Sequence, residues 1–157
     1  MTHGRPIVRT ALWLLLGGWF GGFLLFGAVV APTAFAILPT SQIAGTFVGP
    51  VLTKLHLFGA AAGIPIAALS YMLGCRHWLS VFPVLLSALC CYSHFGVSAE
   101  LAEIRMLTFS AEGSADLASR FGFLHRVSIG IFIAVGVCIT ALIGFHAQAD
   151  AQSVTSG

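Results

Sequence analysis

Residues 121–145 read FGFLHRVSIGIFIAVGVCITALIGF, and past Arg126 this run holds no charged residue. A hydrocarbon core about 30 Å thick is crossed by roughly 20 apolar residues in a helix, so the run is long enough to span a bilayer. Three further runs match it, at about 11–31, 51–73 and 78–99, and none of the four has an acidic residue in its interior. Only 8% of the 157 residues are charged and 58% are hydrophobic, whereas a soluble domain carries about 25% charged residues. The expected fold is therefore an all-α integral membrane protein, a four-transmembrane-helix bundle that forms a single domain over 1–157.

The composition also removes function classes. Formal net charge is +2 and the seven Lys and Arg residues are scattered, which leaves no nucleic-acid footprint and no polybasic patch. The expected partner is the lipid bilayer. Cys75, Cys90, Cys91 and Cys138 form no C-x-x-C pair and no ladder, so neither a disulfide framework nor a zinc site is inferred, and the four read as small core residues. Arg5, Arg9, an apolar run and Ala34-Phe35-Ala36 imitate a secretory signal with its cleavage site. The apolar run is longer than the 7 to 15 residues of such a signal and carries packing glycines, so it reads as a retained first helix.

Pro32 and Pro39 are expected to stop that helix, with Ser41 as the N-cap of a second helix that runs through Pro50. Pro65 is expected to kink it, with Ser70 re-satisfying the freed backbone. Residues 74–77, GCRH, allow only a tight connection, which places the second and third helices side by side. The polar segment 100–120 holds most of the acidic residues and follows a third helix that projects past the bilayer to a turn near Glu112, Gly113 and Ser114. The tail 147–157 reads as disordered. Arg5 and Arg9 before the first span place both termini in the cytoplasm and the protein in the inner (plasma) membrane.

Gly17 with Gly21, Gly18 with Gly22, and Gly59 with Gly63 make G-x-x-x-G pairs, the spacing through which helices approach closely in lipid. They serve packing inside the bundle or association with a second copy or a larger membrane complex. His56, His94 and His125 are ionisable groups at membrane depth, which usually face a bundle interior or a cavity. Helical spacing puts His94, Ser98, Leu101 and Arg105 on one face, and His125 and Ser128 on one face of the fourth helix. Three readings stay open. His94, Ser98, Arg105, His125 and Ser128 form a small-ligand or ion site; His94 and His125, with His56, hold a metal; or His94 and His125 ligate a haem. No nucleophile with an adjacent base is visible, and the reading is non-enzymatic.

Trp19 with Gly21 and Gly22, then VVAPTAFAILP (29–39), Ala44-Gly45, HFG (94–96), AEIR (102–105) and FGFLHRVS (121–128) resemble the transmembrane protein 205-like family. The resemblance covers about residues 10–145. It implies a small four-helix membrane protein of unestablished activity, and a eukaryotic relative's link to platinum-drug resistance implies metal or drug handling. Its motif positions present here are Pro32, Phe35, His94, Arg105, Phe121, Leu124, His125 and Ser128; His56 is outside them. The cofactor is unknown.

Overall fold

The computed structural model describes residues 4–108 and 114–155, and every described element is helical. Helix α1 (Gly4–Leu25) passes through a π-helical turn (Phe26–Val30) into α2 (Ala31–Ile37); α3 is Ser41–Met72; α4 (His77–Tyr92) passes through a second π-turn (Ser93–Ser98) into α5 (Ala99–Thr108); α6 is Ala115–Thr155. Among the described residues, four helical stretches are long and apolar enough to cross a membrane: Arg5–Ile37, Ser41–Met72, His77–Arg105 and Ala115–Gln152.

The helix ends differ from the sequence reading in ways that have local causes. Pro32 does not stop the first helix. The π-turn ahead of it closes with the Ala31 N–H on the Phe26 carbonyl, and Pro32 then occupies the first turn of α2, where a missing N–H costs nothing. The stop comes at Leu38, which is extended (φ −84°, ψ 143°) because the residue before Pro39 is disfavoured in the helical region. The cap of α3 is Thr40, not Ser41: its Oγ1 accepts from the Ile43 N–H at 3.2 Å. Ser70 does not serve the carbonyl that Pro65 frees, since its hydroxyl bonds Ile66 O at 2.7 Å. Gly74, at φ 73°, turns the chain between α3 and α4 as a glycine past a helix end commonly does. Ser114 starts α6 by accepting from the Leu117 N–H at 3.3 Å, while Glu112 and Gly113 lie outside the described residues.

The tail from 147, expected without regular structure, is helical to Thr155. Alanine and glutamine are good helix formers, and Asp150 ties this end to α1 through Arg9 (3.2 Å) and the Trp13 indole N–H (3.1 Å). At the 1.5 Å rise of a helix, the 41 residues of α6 reach about 60 Å, about twice a hydrocarbon core.

The larger of two cores lies in the half of the bundle nearer the termini. Leu12, Leu16, Trp19 and Phe23 line one face of α1 and meet Ile66 of α3, Leu79, Leu86 and Cys90 of α4, and Val135, Ile139 and Leu142 of α6. Glycines set how closely these helices approach. A Cβ on Gly63 would collide with the Pro83 carbonyl and Ser87 Oγ of α4; one on Gly59 would sit 2.6 Å from Trp19 Nε1 and 3.0 Å from Cys90 Sγ. Gly22 abuts Leu55, and Gly18 lies near Phe58. Gly17 and Gly21 differ: they point away from the bundle, and a Cβ there would meet nothing within 4 Å. His146 closes this half, with Nε2 2.9 Å from Ser70 Oγ and Nδ1 3.1 Å from Leu142 O. All four cysteines are free, and at the α3–α4 turn burial, then the Asp150 carboxylate, pushes the Cys75 thiol up.

Candidate functional site

The other half of the bundle holds a smaller core, where Val97, Leu101 and Ile104 pack on Leu124 of α6, and beside it an open space. A cavity of about 720 Å³ is walled by Phe26 and Gly27 of the first π-turn, Phe35 of α2, the first turns of α3 from Gly45 to Lys54, the second π-turn and α5 from His94 to Arg105, and His125 to Phe132 of α6. Its floor is aromatic. Phe132 stacks on Phe23 (5.0 Å between centroids) and meets Phe26 edge-on at 5.4 Å, while Gly27 leaves room for the Phe132 ring, which a Cβ would approach to 3.1 Å.

Both π-turns border this one space. A π-turn holds one residue more than the α-turn it replaces, widens the helix locally and is common at functional sites. Here the first presents Phe26 and Gly27, and the second presents His94, Phe95 and Ser98.

All five residues of the proposed ligand or ion site, His94, Ser98, Arg105, His125 and Ser128, line the cavity, together with Lys54. His94 is oriented by its Nδ1, 3.3 Å from the Thr53 carbonyl of α3. Arg105 crosses from α5 to α3, where Nη1 donates to Gly45 O at 2.6 Å. Gly49, one turn on, would put a Cβ 3.2 Å from both Nη1 and Nη2, so the glycine pair forms a seat for the guanidinium. The Phe121 ring lies 5.9 Å from Arg105 Cζ and stacks on the His125 ring at 6.2 Å. Phe121 thus links Arg105 and His125, the two that line the cavity. Arg105 therefore turns inward, where an anchor at the membrane surface would turn out.

The lining has a single sign of charge. Lys54, His94, Arg105 and His125 contribute cationic or titratable nitrogens, and among the described residues no carboxylate lines the cavity. Glu100 is engaged elsewhere, in an ion pair with Arg120 that joins α5 to α6. A guanidinium has five N–H donors, and among the described residues one Arg105 bond, to Gly45 O, accounts for its hydrogen bonding. The site can therefore bind an anion through charge-assisted hydrogen bonds.

The three-histidine metal set does not assemble. His56 is fully buried behind the floor, with Nδ1 3.3 Å from Ser93 Oγ and its ring edge-on to Phe23, and it does not line the cavity. Among the described residues no group of three His, Cys, Asp or Glu side chains is placed to hold a metal ion.

Sequence reasoning missed Gly45 and Gly49 as the seat of Arg105, although their G-x-x-x-G spacing is legible, and it missed Phe26 and Phe132, which no local pattern marks; Phe35 entered only as a motif position of the resemblance. Comparison with family models, curated proteins and solved structures gives no match.

Proposed function

We propose that this chain is a non-enzymatic, multi-pass protein of the inner (plasma) membrane, with both termini cytoplasmic, that binds a small anion in the cavity at the far end of the bundle. One observation carries the reading: residues from four helical segments bring Arg105, His94, His125 and Lys54 around a space that no carboxylate lines among the described residues. A cavity of this size lies within the roughly 300–1,000 Å³ of small-molecule sites, and a few convergent polar groups in an apolar wall are their usual chemistry. The four long apolar helices support the membrane assignment. Kinship with the transmembrane protein 205-like family remains part of the proposal, and what supports it is convergence. Phe35, His94, Arg105, His125 and Ser128, motif positions spread along the chain, meet at this cavity, and Phe121 lies against two of them.

The test is extraction and mass analysis of small anions retained by detergent-purified protein. The wild type is expected to carry one at close to one per chain, and Arg105→Ala to have lost at least nine-tenths of it with an unchanged size-exclusion profile. A wild type no richer in any anion than an unrelated four-helix membrane protein would end the proposal.

A second reading, an accessory subunit that joins other membrane chains, draws on the outward-facing Gly17 and Gly21 of α1.

A further inference from the structure

The cavity is not shaped for a free inorganic ion. Most of its wall is apolar, its floor is the edge-to-face pair Phe26 and Phe132, and of its cationic groups Arg105 and His125 share a wall, with His125 about two turns before Phe132 on α6. A hydrated ion would fill a small part of 720 Å³ and leave the rest as water against phenylalanine rings, an unfavourable arrangement. At the helical rise, the eleven steps from His94 to Arg105 give the space a length of roughly 16 Å along the bundle. That is room for a chain as well as a head.

The mouth points to where such a molecule comes from. Phe35, Phe95 and Ile129 line the cavity and are also exposed on the outer, apolar surface of helices long enough to cross a membrane (47%, 69% and 44%). A rim that is apolar on both sides excludes water and admits an alkyl chain sideways from the acyl region. Arg105 waits inside, its guanidinium fixed by Gly45 O against Gly49 and so oriented before the ligand arrives.

We infer that the occupant is a single-chain anionic amphiphile, one carboxylate or phosphate head on one alkyl chain, with the head between Arg105 and His125 and the chain on the Phe26–Phe132 floor. This rests on the anion-binding reading above and narrows it. A carboxylate or phosphate accepts two parallel N–H bonds from the Arg105 fork, and His125 adds a donor when protonated. A two-chain phospholipid exceeds the volume. The chain itself contributes about 0.8 kcal/mol per buried methylene, so affinity should rise with chain length.

The experiment is native mass spectrometry of the full-length protein released from micelles, titrated with oleate, oleoyl-lysophosphatidate, oleyl alcohol, inorganic phosphate and dioleoyl-phosphatidate. Oleate, lysophosphatidate or both should bind at one per chain, at least 100-fold tighter than inorganic phosphate and at least 10-fold tighter than oleyl alcohol. Arg105→Gln and the more exposed His125→Gln should each weaken the bound amphiphile at least fivefold. Two variants on different helices separate loss of binding from loss of fold. Inorganic phosphate bound as tightly as oleate would overturn the amphiphile and leave the anion site standing. Oleyl alcohol bound as tightly as oleate, and equally by Arg105→Gln, would overturn both. Dioleoyl-phosphatidate bound as tightly as the single-chain lipids would overturn the single-chain assignment alone.

Discussion

In the half of the bundle nearer the termini, Gly59 and Gly63 let α3 close on Trp19 and on the Pro83–Ser87 stretch of α4; in the other half, Gly27 and Gly49 border an open cavity. The same missing Cβ serves different ends. In the first half the space is taken by another helix, with backbone carbonyl and Trp19 indole pressed against the glycines. In the second it is taken by the tips of side chains, the Phe132 ring at Gly27 and the Arg105 guanidinium at Gly49. There α5 and α6 still pack through Leu101, Ile104 and Leu124, and a cavity remains beside them. A glycine pair in an apolar helix is therefore a statement about space, and what fills the space depends on the facing helix.

Substitution of one glycine at a time reads this difference directly. The largest effect belongs to Gly63→Ala, because the new methyl meets the Pro83 carbonyl, which is backbone and cannot swing away. It should cost about 3 kcal/mol through separation of α3 from α4, measured as lost resistance to denaturant in detergent. A variant as resistant as wild type would mean that these helices are not held this closely. Gly49→Ala comes next and should divide differently. Its methyl meets the end of a flexible side chain, so stability should change by less than about 1 kcal/mol, while amphiphile binding weakens severalfold as the Arg105 fork is displaced. Equal effects on stability at positions 49 and 63 would erase the contrast between the halves. The smallest effect belongs to Gly17→Ala, where nothing lies within 4 Å. There alanine's helix propensity should stabilise by up to about 1 kcal/mol, with the oligomeric state unchanged. A change of oligomeric state on this substitution would favour the accessory-subunit reading.

Much of the bundle can be read from hydropathy alone, because four apolar runs separated by proline, glycine and charge leave few arrangements. The helix limits are a different matter. Pro32 looks like a terminator because local rules place a proline at a helix boundary, and only the π-turn before it, which depends on how α1 packs, lets the helix continue. The tail after His146 looks polar and loose, and it is the reach of Asp150 to Arg9 and Trp13, more than 130 residues earlier in the chain, that gives it a partner. The site divides in the same way. Counting by three and four places His94, Ser98 and Arg105 on one face, and they do line one wall. His56 has the same chemistry and a similar depth, yet one turn of α3 sends it to Ser93 behind the floor. A residue's side of the helix is set by register, and small errors in register decide between a cavity and a core.

The two π-turns have a genetic consequence. Each holds one residue more than the α-turn it replaces, so a single-codon deletion within 26–30 or 93–98 could restore a regular helix without breaking the chain's continuity. Such a helix would still be apolar and still be long enough to cross a bilayer. Residues beyond the deletion would keep their side of the helix, because the α-turn covers the same rotation with one residue fewer. What would be lost is the widened turn itself, with the side chains it presents to the cavity: Phe26 and Gly27 in the first case, His94, Phe95 and Ser98 in the second. The cavity lining is thus shaped by one residue per helix, and chains that share this fold but lack either extra residue would present a different lining at that turn.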